Sequence, residues 1–202
     1  MANEVLLKGV LSGIKYNHRR AGEDFYRAYI RVERKSGTPD ILPVIISTHM
    51  LSKECEGAAV SIQGEFRSYN WHDGKKTRLL LYVYAKDIEL IHGEMDPINN
   101  NRVYLEGFIC KAPKHRRTPL GKDIADFTLA VNRKEHKSDY LPCVAWGDNA
   151  LWAEGLQVGT RVSLSGRIQS REYVKETVNG PEIRTAYELS VRTMEEMYES
   201  DI

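Results

Sequence analysis

Residues 159–166 read GTRVSLSG, and residues 57–64 read GAAVSIQG. Both strings begin and end in glycine and place apolar residues at the same alternating positions. Working outward, NRVYLEG at 101–107 matches NEVLLKG at 3–9. Tyr140-Leu141-Pro142-Cys143 likewise matches Ile41-Leu42-Pro43-Val44. The matches keep their order at offsets of about 98 to 102 residues. A repeat of that length is a duplicated domain, since solenoid units run to about 20–50 residues. The reading is therefore two domains, at 1–92 and 101–197, with a polar linker at 93–100 and a short acidic end at 198–202.

Within the second copy, Val103, Leu105, Gly107 and Ile109 alternate with polar residues, the period of a strand with one buried face. Further strands are expected at 124–132, 139–146, 160–173 and 183–194. The stretch 111–121, with two prolines, a glycine and several cations, reads as a loop. Residues 150–156 read as a short helix, with Asp148 or Asn149 as its cap. The first copy repeats the order, with strands near 3–14, 24–34, 40–47, 58–70 and 78–90 and a shorter helix near 49–55. Asp73-Gly74 and Asn179-Gly180 supply the last hairpin turns. Pro142 marks an edge or a bulge, because it donates no ladder hydrogen bond. Gly64 and Gly166 fall inside strands, where glycine is costly unless the chain bends or another backbone approaches. Five strands with a helix between the third and fourth give an all-β fold of two tandem OB-folds, small five-stranded Greek-key barrels.

Composition narrows the function. The chain has 202 residues, of which 42% are hydrophobic and 28% charged. No apolar run reaches the roughly 20 residues that span a bilayer, and the N-terminus lacks the apolar core of a secretory signal. A cytoplasmic protein without a membrane partner is expected. Three cysteines and six scattered histidines argue against a disulfide framework or a zinc site. No metal and no cofactor are expected. There is no Gly-rich phosphate loop, H-E-x-x-H or G-x-S-x-G, so the protein is not expected to be an enzyme. Net charge is only +1, so any polyanion site depends on where the cations sit.

What recurs is aromatic residues beside cations. Tyr69 and Trp71 precede a turn carrying Lys75, Lys76 and Arg78. The matching place in the second copy holds Arg171 and Tyr173, then Lys175. On the second strand, with Tyr26, Ala28, Ile30 and Val32 inward, Phe25, Arg27, Tyr29 and Arg31 share the outer face. Tyr140 and Trp146 share parity on the third strand of the second copy. The cluster Lys114-His115-Arg116-Arg117 has a counterpart in His18-Arg19-Arg20, and Arg133-Lys134 opens a charged connector. Single-stranded nucleic acid presents bare base faces and regularly spaced phosphates. Rings stack on any base for about 1–3 kcal/mol, and Lys or Arg neutralise the backbone. Each aromatic alone could equally be core trim or a subunit contact.

The strings NRVYLEGFICKAP, RRTPLG, DFTLAVNR, DYLPCVAWGDNA and VGTRVSLSGRIQSREY run in order through residues 101–173. There the chain resembles the bacterial single-stranded DNA-binding proteins. The resemblance implies an OB-fold that wraps single-stranded DNA in replication, repair and recombination, with stacking residues at Tyr140, Trp146 and Tyr173. The first copy matches the last of these with Trp71 but has Ile41 and Ser47 at the other two. Phe25, Tyr29 and Tyr69 are the candidates to replace them. The family usually builds four OB-folds from four chains, so two per chain imply a homodimer, in the bacterial cytoplasm at the nucleoid. Replication or repair proteins stay open as partners, but not through the family's terminal Pro-Phe, because this sequence ends MEEMYESDI. Two alternatives remain at this stage: a primosome-type OB protein that binds helicase or primase, and an OB module that binds protein or oligosaccharide.

Overall fold

The structure is a computed structural model that describes residues 1–74, 76–95, 98–134, 136–178 and 180–198. Lys75 and Asn179, two of the turn residues singled out above, lie outside the described residues, as do 199–202 of the acidic end. So does the side chain of Lys76.

Among the described residues, ten strands and one α-helix follow in order. The first barrel contains β1 (Asn3–Arg20), β2 (Glu23–Val32), β3 (Asp40–Ser47), β4 (Ala59–Asp73) and β5 (Lys76–Leu90). The second contains β6 (Asn101–Arg117), β7 (Asp123–Asn132), β8 (Ser138–Trp146), α1 (Asp148–Glu154), β9 (Arg161–Thr177) and β10 (Gly180–Glu196). Alternation produces each core. In β1, Val5, Leu7 and Leu11 are buried, and in β6 so are Val103, Leu105 and Ile109. Phe66 and Phe127 fill the two interiors with branched aliphatics around them.

Each barrel closes in the same way. The first half of β1 pairs with β4 and its second half with β2, so one strand serves both sheets. Then β3 pairs with β5 in parallel and completes the ring; β6 to β10 repeat the scheme. The strand glycines are required by this curvature. A Cβ on Gly64 would overlap the Tyr84 carbonyl oxygen, and one on Gly166 the Ser190 carbonyl oxygen. Both glycines lie beside a β-bulge, where the ladder slips by one residue. Pro43 and Pro142 sit just outside the short parallel pairing, which engages only Val44 and Ile45 in β3 and Cys143 and Val144 in β8.

Three elements differ from the sequence reading. β1 does not end near residue 14: it runs through Arg20 and pairs with β2 to Glu23. Residues 111–117 are not a loop: β6 continues through Arg117 and pairs with β7 to Asp123, bulging twice on the way. Pro113 is accommodated there because the ladder is already irregular. In the first copy no α-helix forms between β3 and β4 among the described residues. Two single 3-10 turns, Thr48–Met50 and Lys53–Cys55, take its place.

The barrels join through β1 and β6, which pair antiparallel with Val5 opposite Val103. All ten strands thus form one continuous sheet. Around that junction the copies are related by an approximate two-fold. The Asn3 side chain holds both the N–H and C=O of Phe66 at 2.8 Å. Asn101 does the same for Ile168, at 3.0 and 2.7 Å.

Candidate nucleic-acid interface

The duplication also builds two seams where one barrel touches the other. At the first, β4 lies against β8: the Ser68 N–H donates to Asp139 Oδ1 at 2.6 Å, and the Tyr140 N–H donates to Ser68 Oγ at 2.8 Å. Arg133 donates from Nε to Asp139 at 2.6 Å and from Nη2 to the Ser68 carbonyl at 3.1 Å. At the second seam, β9 lies against β3. The Ser170 N–H donates to Asp40 Oδ1 at 2.6 Å, and Arg34 donates to Asp40 at 2.7 Å and to the Ser170 carbonyl at 2.7 Å. Asp40 and Asp139 are both buried. Each buried carboxylate is tolerable because a guanidinium and a backbone N–H both satisfy it.

This corrects one expectation. Arg133 is not available to phosphates: its side chain is 18% exposed and occupied with Asp139 and Ser68. The signal was present in the sequence, as an Arg and an Asp six residues apart at 34 and 40 and again at 133 and 139.

The candidate stacking residues lie on strands of both barrels. Tyr140 is one hydrogen bond from Ser68, whose neighbour is Tyr69. Along β4 and β5, Tyr69 stands opposite Leu80 and Trp71 opposite Arg78, so these four share a face. Tyr140 and Trp146 share the outer face of β8, opposite Ala130 and Ile124. Tyr69, Trp71, Tyr140 and Trp146 are all exposed, at 56, 39, 45 and 40%. At the second seam Tyr173 is exposed opposite Arg184, and Arg171 precedes it on the same face. Tyr29 is half-buried beside Arg27 and Arg31. Tyr29 also influences Tyr187 of the other barrel, whose hydroxyl is pushed up chiefly by burial.

Phe25 is the second correction. It is 6% exposed, covered by the His18 ring stacked at 5.0 Å and packed near Tyr84 at 6.1 Å. It shares strand parity with Arg27, but bulges in β1 bring His18 over it. Phe25 therefore cannot stack on a base without first losing His18.

Guanidinium groups stand over the rings. Arg78 lies 5.9 Å from the Trp71 centroid, Arg171 6.0 Å from Tyr173 and Arg27 5.7 Å from Tyr29. Exposed cation–π contacts contribute about 0.5–1 kcal/mol. Base stacking at about 1–3 kcal/mol exceeds that, so a base can displace the guanidinium toward its own phosphate. Other cations are exposed and held in surface ion pairs. Arg116 meets Asp126 at 2.6 Å, Arg117 meets Asp123 at 3.5 Å, Arg31 meets Glu33 at 2.8 Å and Arg19 meets Asp24 at 3.8 Å. Surface pairs of this kind contribute roughly 0–1 kcal/mol, so a phosphate can replace the carboxylate. Lys114 lies on β6 opposite Asp126, while Arg20 ends β1 and Lys134 follows β7.

Sequence reading passed over other exposed aromatics: Tyr16, Tyr104 and Trp152. It also passed over Arg67, which covers the Tyr84 ring at 4.8 Å. One polar trio invites a catalytic reading: Ser47, His49 and Glu23. Both Ser47 and Glu23 address the same nitrogen, His49 Nδ1, so the ring cannot relay a proton from one to the other. Among the described residues, no three His, Cys, Asp or Glu side chains are placed to hold a metal ion. Nor is any helix there long and apolar enough to cross a membrane.

The fold and this face define a class: a two-barrel OB protein with an aromatic and cationic outer surface. Residues 100–197 match the model of the Single-strand binding protein family. The second barrel is thus similar to that family, over a little under half of the chain. It is 43% identical over 82 residues to single-stranded DNA-binding protein 2 of Listeria innocua, covering 36% of this chain and 50% of the relative. It is 41% identical over 80 residues to single-stranded DNA-binding protein A of Bacillus subtilis, covering 36% and 46%. The chain thus spans about half the length of the curated relatives it matches. The fold of the whole chain is that of the wild-type single-stranded DNA-binding protein of Thermus aquaticus, with a TM-score of 0.74 at 21% identity over 98% of this chain and 94% of that one.

Proposed function

We propose that this protein binds single-stranded DNA without catalysis and largely without regard to sequence, protecting exposed strands in replication, repair and recombination. The observation that carries the reading is the arrangement at the two seams: exposed rings with guanidinium groups at their faces, on strands from both barrels. Bases stack on Tyr140, Trp146, Tyr69, Trp71 and Tyr173, with Tyr29 as an edge contact. Phosphates meet Lys114, Arg116, Arg117, Lys134 and Arg171 in the second barrel. In the first they meet Arg19, Arg20, Arg27, Arg31, Lys75, Lys76 and Arg78. Stacking and phosphate neutralisation read no base edge, so tolerance of sequence follows. The related proteins are named for the same ligand, which supports the reading.

A homodimer supplying four barrels is part of the proposal, as is residence in the bacterial cytoplasm at the nucleoid. Fluorescence anisotropy with labelled oligo-dT, a duplex of equal length and a neutral oligosaccharide tests the ligand class. Binding to oligo-dT at least a hundredfold tighter than to the other two is expected. Equal affinity for single strand and duplex would contradict it.

A further inference from the structure

The two seams share a geometry but not a charge balance. Gly64 and Gly166 are equivalent by register, opposite Val5 and Val103 of their own barrels. The residue that follows is Glu65 in the first barrel and Arg167 in the second. Each fifth strand carries an extra residue at this level, Lys86 between Ala85 and Asp87 and Arg192 between Val191 and Thr193. In the first barrel the Glu65 carboxylate pairs with both Arg67 and Lys86. In the second barrel the same three places hold Arg167, Gln169 and Arg192. The carboxylate has been replaced by a guanidinium. Among the described residues, neither Arg167 nor Arg192 has a carboxylate within ion-pairing distance.

A cavity of about 320 Å³ opens at this spot, against the second seam. Arg34, Lys35, Arg167 and Arg192 line it, with Asn100 and Asn101. The carboxylates on its wall are already engaged: Asp40 by Arg34 and the Ser170 N–H, and Glu33 by Arg31. Lys35, Arg167 and Arg192 therefore face the cavity with no ion pair of their own among the described residues, and Asp40, held by Arg34, offsets the charge at Arg167 only in part. The crowding is felt at Arg167, where burial and then the like charge of Arg34 hold the guanidinium below the ordinary arginine range. A tetrahedral oxyanion would relieve both effects, and guanidinium forks match its geometry.

We infer that this cavity is a phosphate pocket that seats one backbone phosphate of a single strand as it crosses from the second barrel to the first. The inference rests on the single-stranded DNA reading above. The strand occupant is favoured over a free anion by position. Arg167, Arg171 and Tyr173 share one face of β9, with Arg171 about 13 Å and Tyr173 about 20 Å from Arg167 at strand spacing. A base stacked on Tyr173 thus begins a row of cations that ends in the pocket. Arg34 and Lys35, just beyond β2, form the far wall and continue toward Arg31.

The test compares the full chain carrying Arg167→Gln and Arg192→Gln with a charge-matched control, Lys8→Gln and Lys53→Gln. Oligo-dT is titrated against each over a range of salt. The pocket pair should bind severalfold more weakly at low salt and flatten the log–log salt slope by about 0.7, the contribution of one single-strand phosphate. Its tryptophan quench at saturation should match wild type, and the control should keep the wild-type slope. If wild type binds and the pocket pair behaves as the control does, the pocket is overturned while the single-stranded DNA reading stands. If wild type itself fails to bind oligo-dT, that reading falls and the strand occupant with it. A thermal-shift arm with inorganic phosphate and tripolyphosphate separates the sources. Stabilisation of wild type that the pocket pair loses, with an unchanged DNA slope, would assign a free phosphate and overturn the strand. Arg192→Gln alone, at an exposed side chain, keeps the test open should the pair fail to fold.

Discussion

Phe25 and Trp146 illustrate how far single residues could be read. Both sit on the outer parity of their strands, in register with Ser47 and Ile124 respectively. Alternation placed them correctly on that face. It could not show that His18 would cover Phe25 while Trp146 stays open, because the cover comes from a bulge in a neighbouring strand. The two should part experimentally. Trp146→Ala or Trp71→Ala is expected to weaken oligo-dT binding by about 1–3 kcal/mol with little change in Tm. Phe25→Ala should instead cost about 3–5 kcal/mol of stability in denaturant titration, while affinity measured on the folded protein stays near wild type. Arg133 follows the same logic. Its place beside Lys134 read as a charged connector, and only the fold discloses Asp139 and Ser68 as its partners.

At the scale of elements, the repeat made the strands legible because each could be checked against its copy. The strand glycines were legible for a physical reason: glycine inside an alternating pattern signals a close backbone approach, and carbonyls do approach Gly64 and Gly166. Gly166→Ala should cost about 1–3 kcal/mol, since the Ser190 backbone must shift to admit a Cβ. The β6 extension was misread because two prolines and a cation run resemble a loop, whereas a bulged hairpin tolerates both. Glu65 on β4 offers a pH test. Burial pushes its carboxyl up, but hydrogen bonds from Lys86 and Arg67 outweigh this and hold it below the ordinary carboxylate range. A depressed carboxylate stabilises the fold above its unfolded pKa, and that contribution is lost as pH falls through the folded value. Urea titrations should therefore show Glu65→Gln clearly less stable than wild type at pH 7. The gap should close as pH drops below about 4.3, the ordinary glutamate value.

Over the whole molecule, the duplication does more than supply two copies. It places strands of each barrel against the other, so the proposed binding face is composite, with Ser68 of the first barrel bonded to the Tyr140 backbone and Asp139 of the second. Sequence comparison of the copies could find equivalent residues but not the seams, which depend on the pairing of β1 with β6. Asp139→Ala removes the acceptor of the Ser68 N–H and the carboxylate that Arg133 grips. It should cost about 3–5 kcal/mol in a denaturant titration. It should also weaken oligo-dT binding more than Tyr140→Ala does, because it releases both sides of the composite face. The near-zero net charge poses no obstacle, since the exposed cations carry weakly held carboxylates that a phosphate can replace. The most direct test of this account is a tryptophan-quench titration with oligo-dT at two salt concentrations. It should give strong quenching, nanomolar affinity at low salt and a log–log slope of about −0.7 for each phosphate neutralised. Unquenched tryptophans, or a slope near zero, would contradict it.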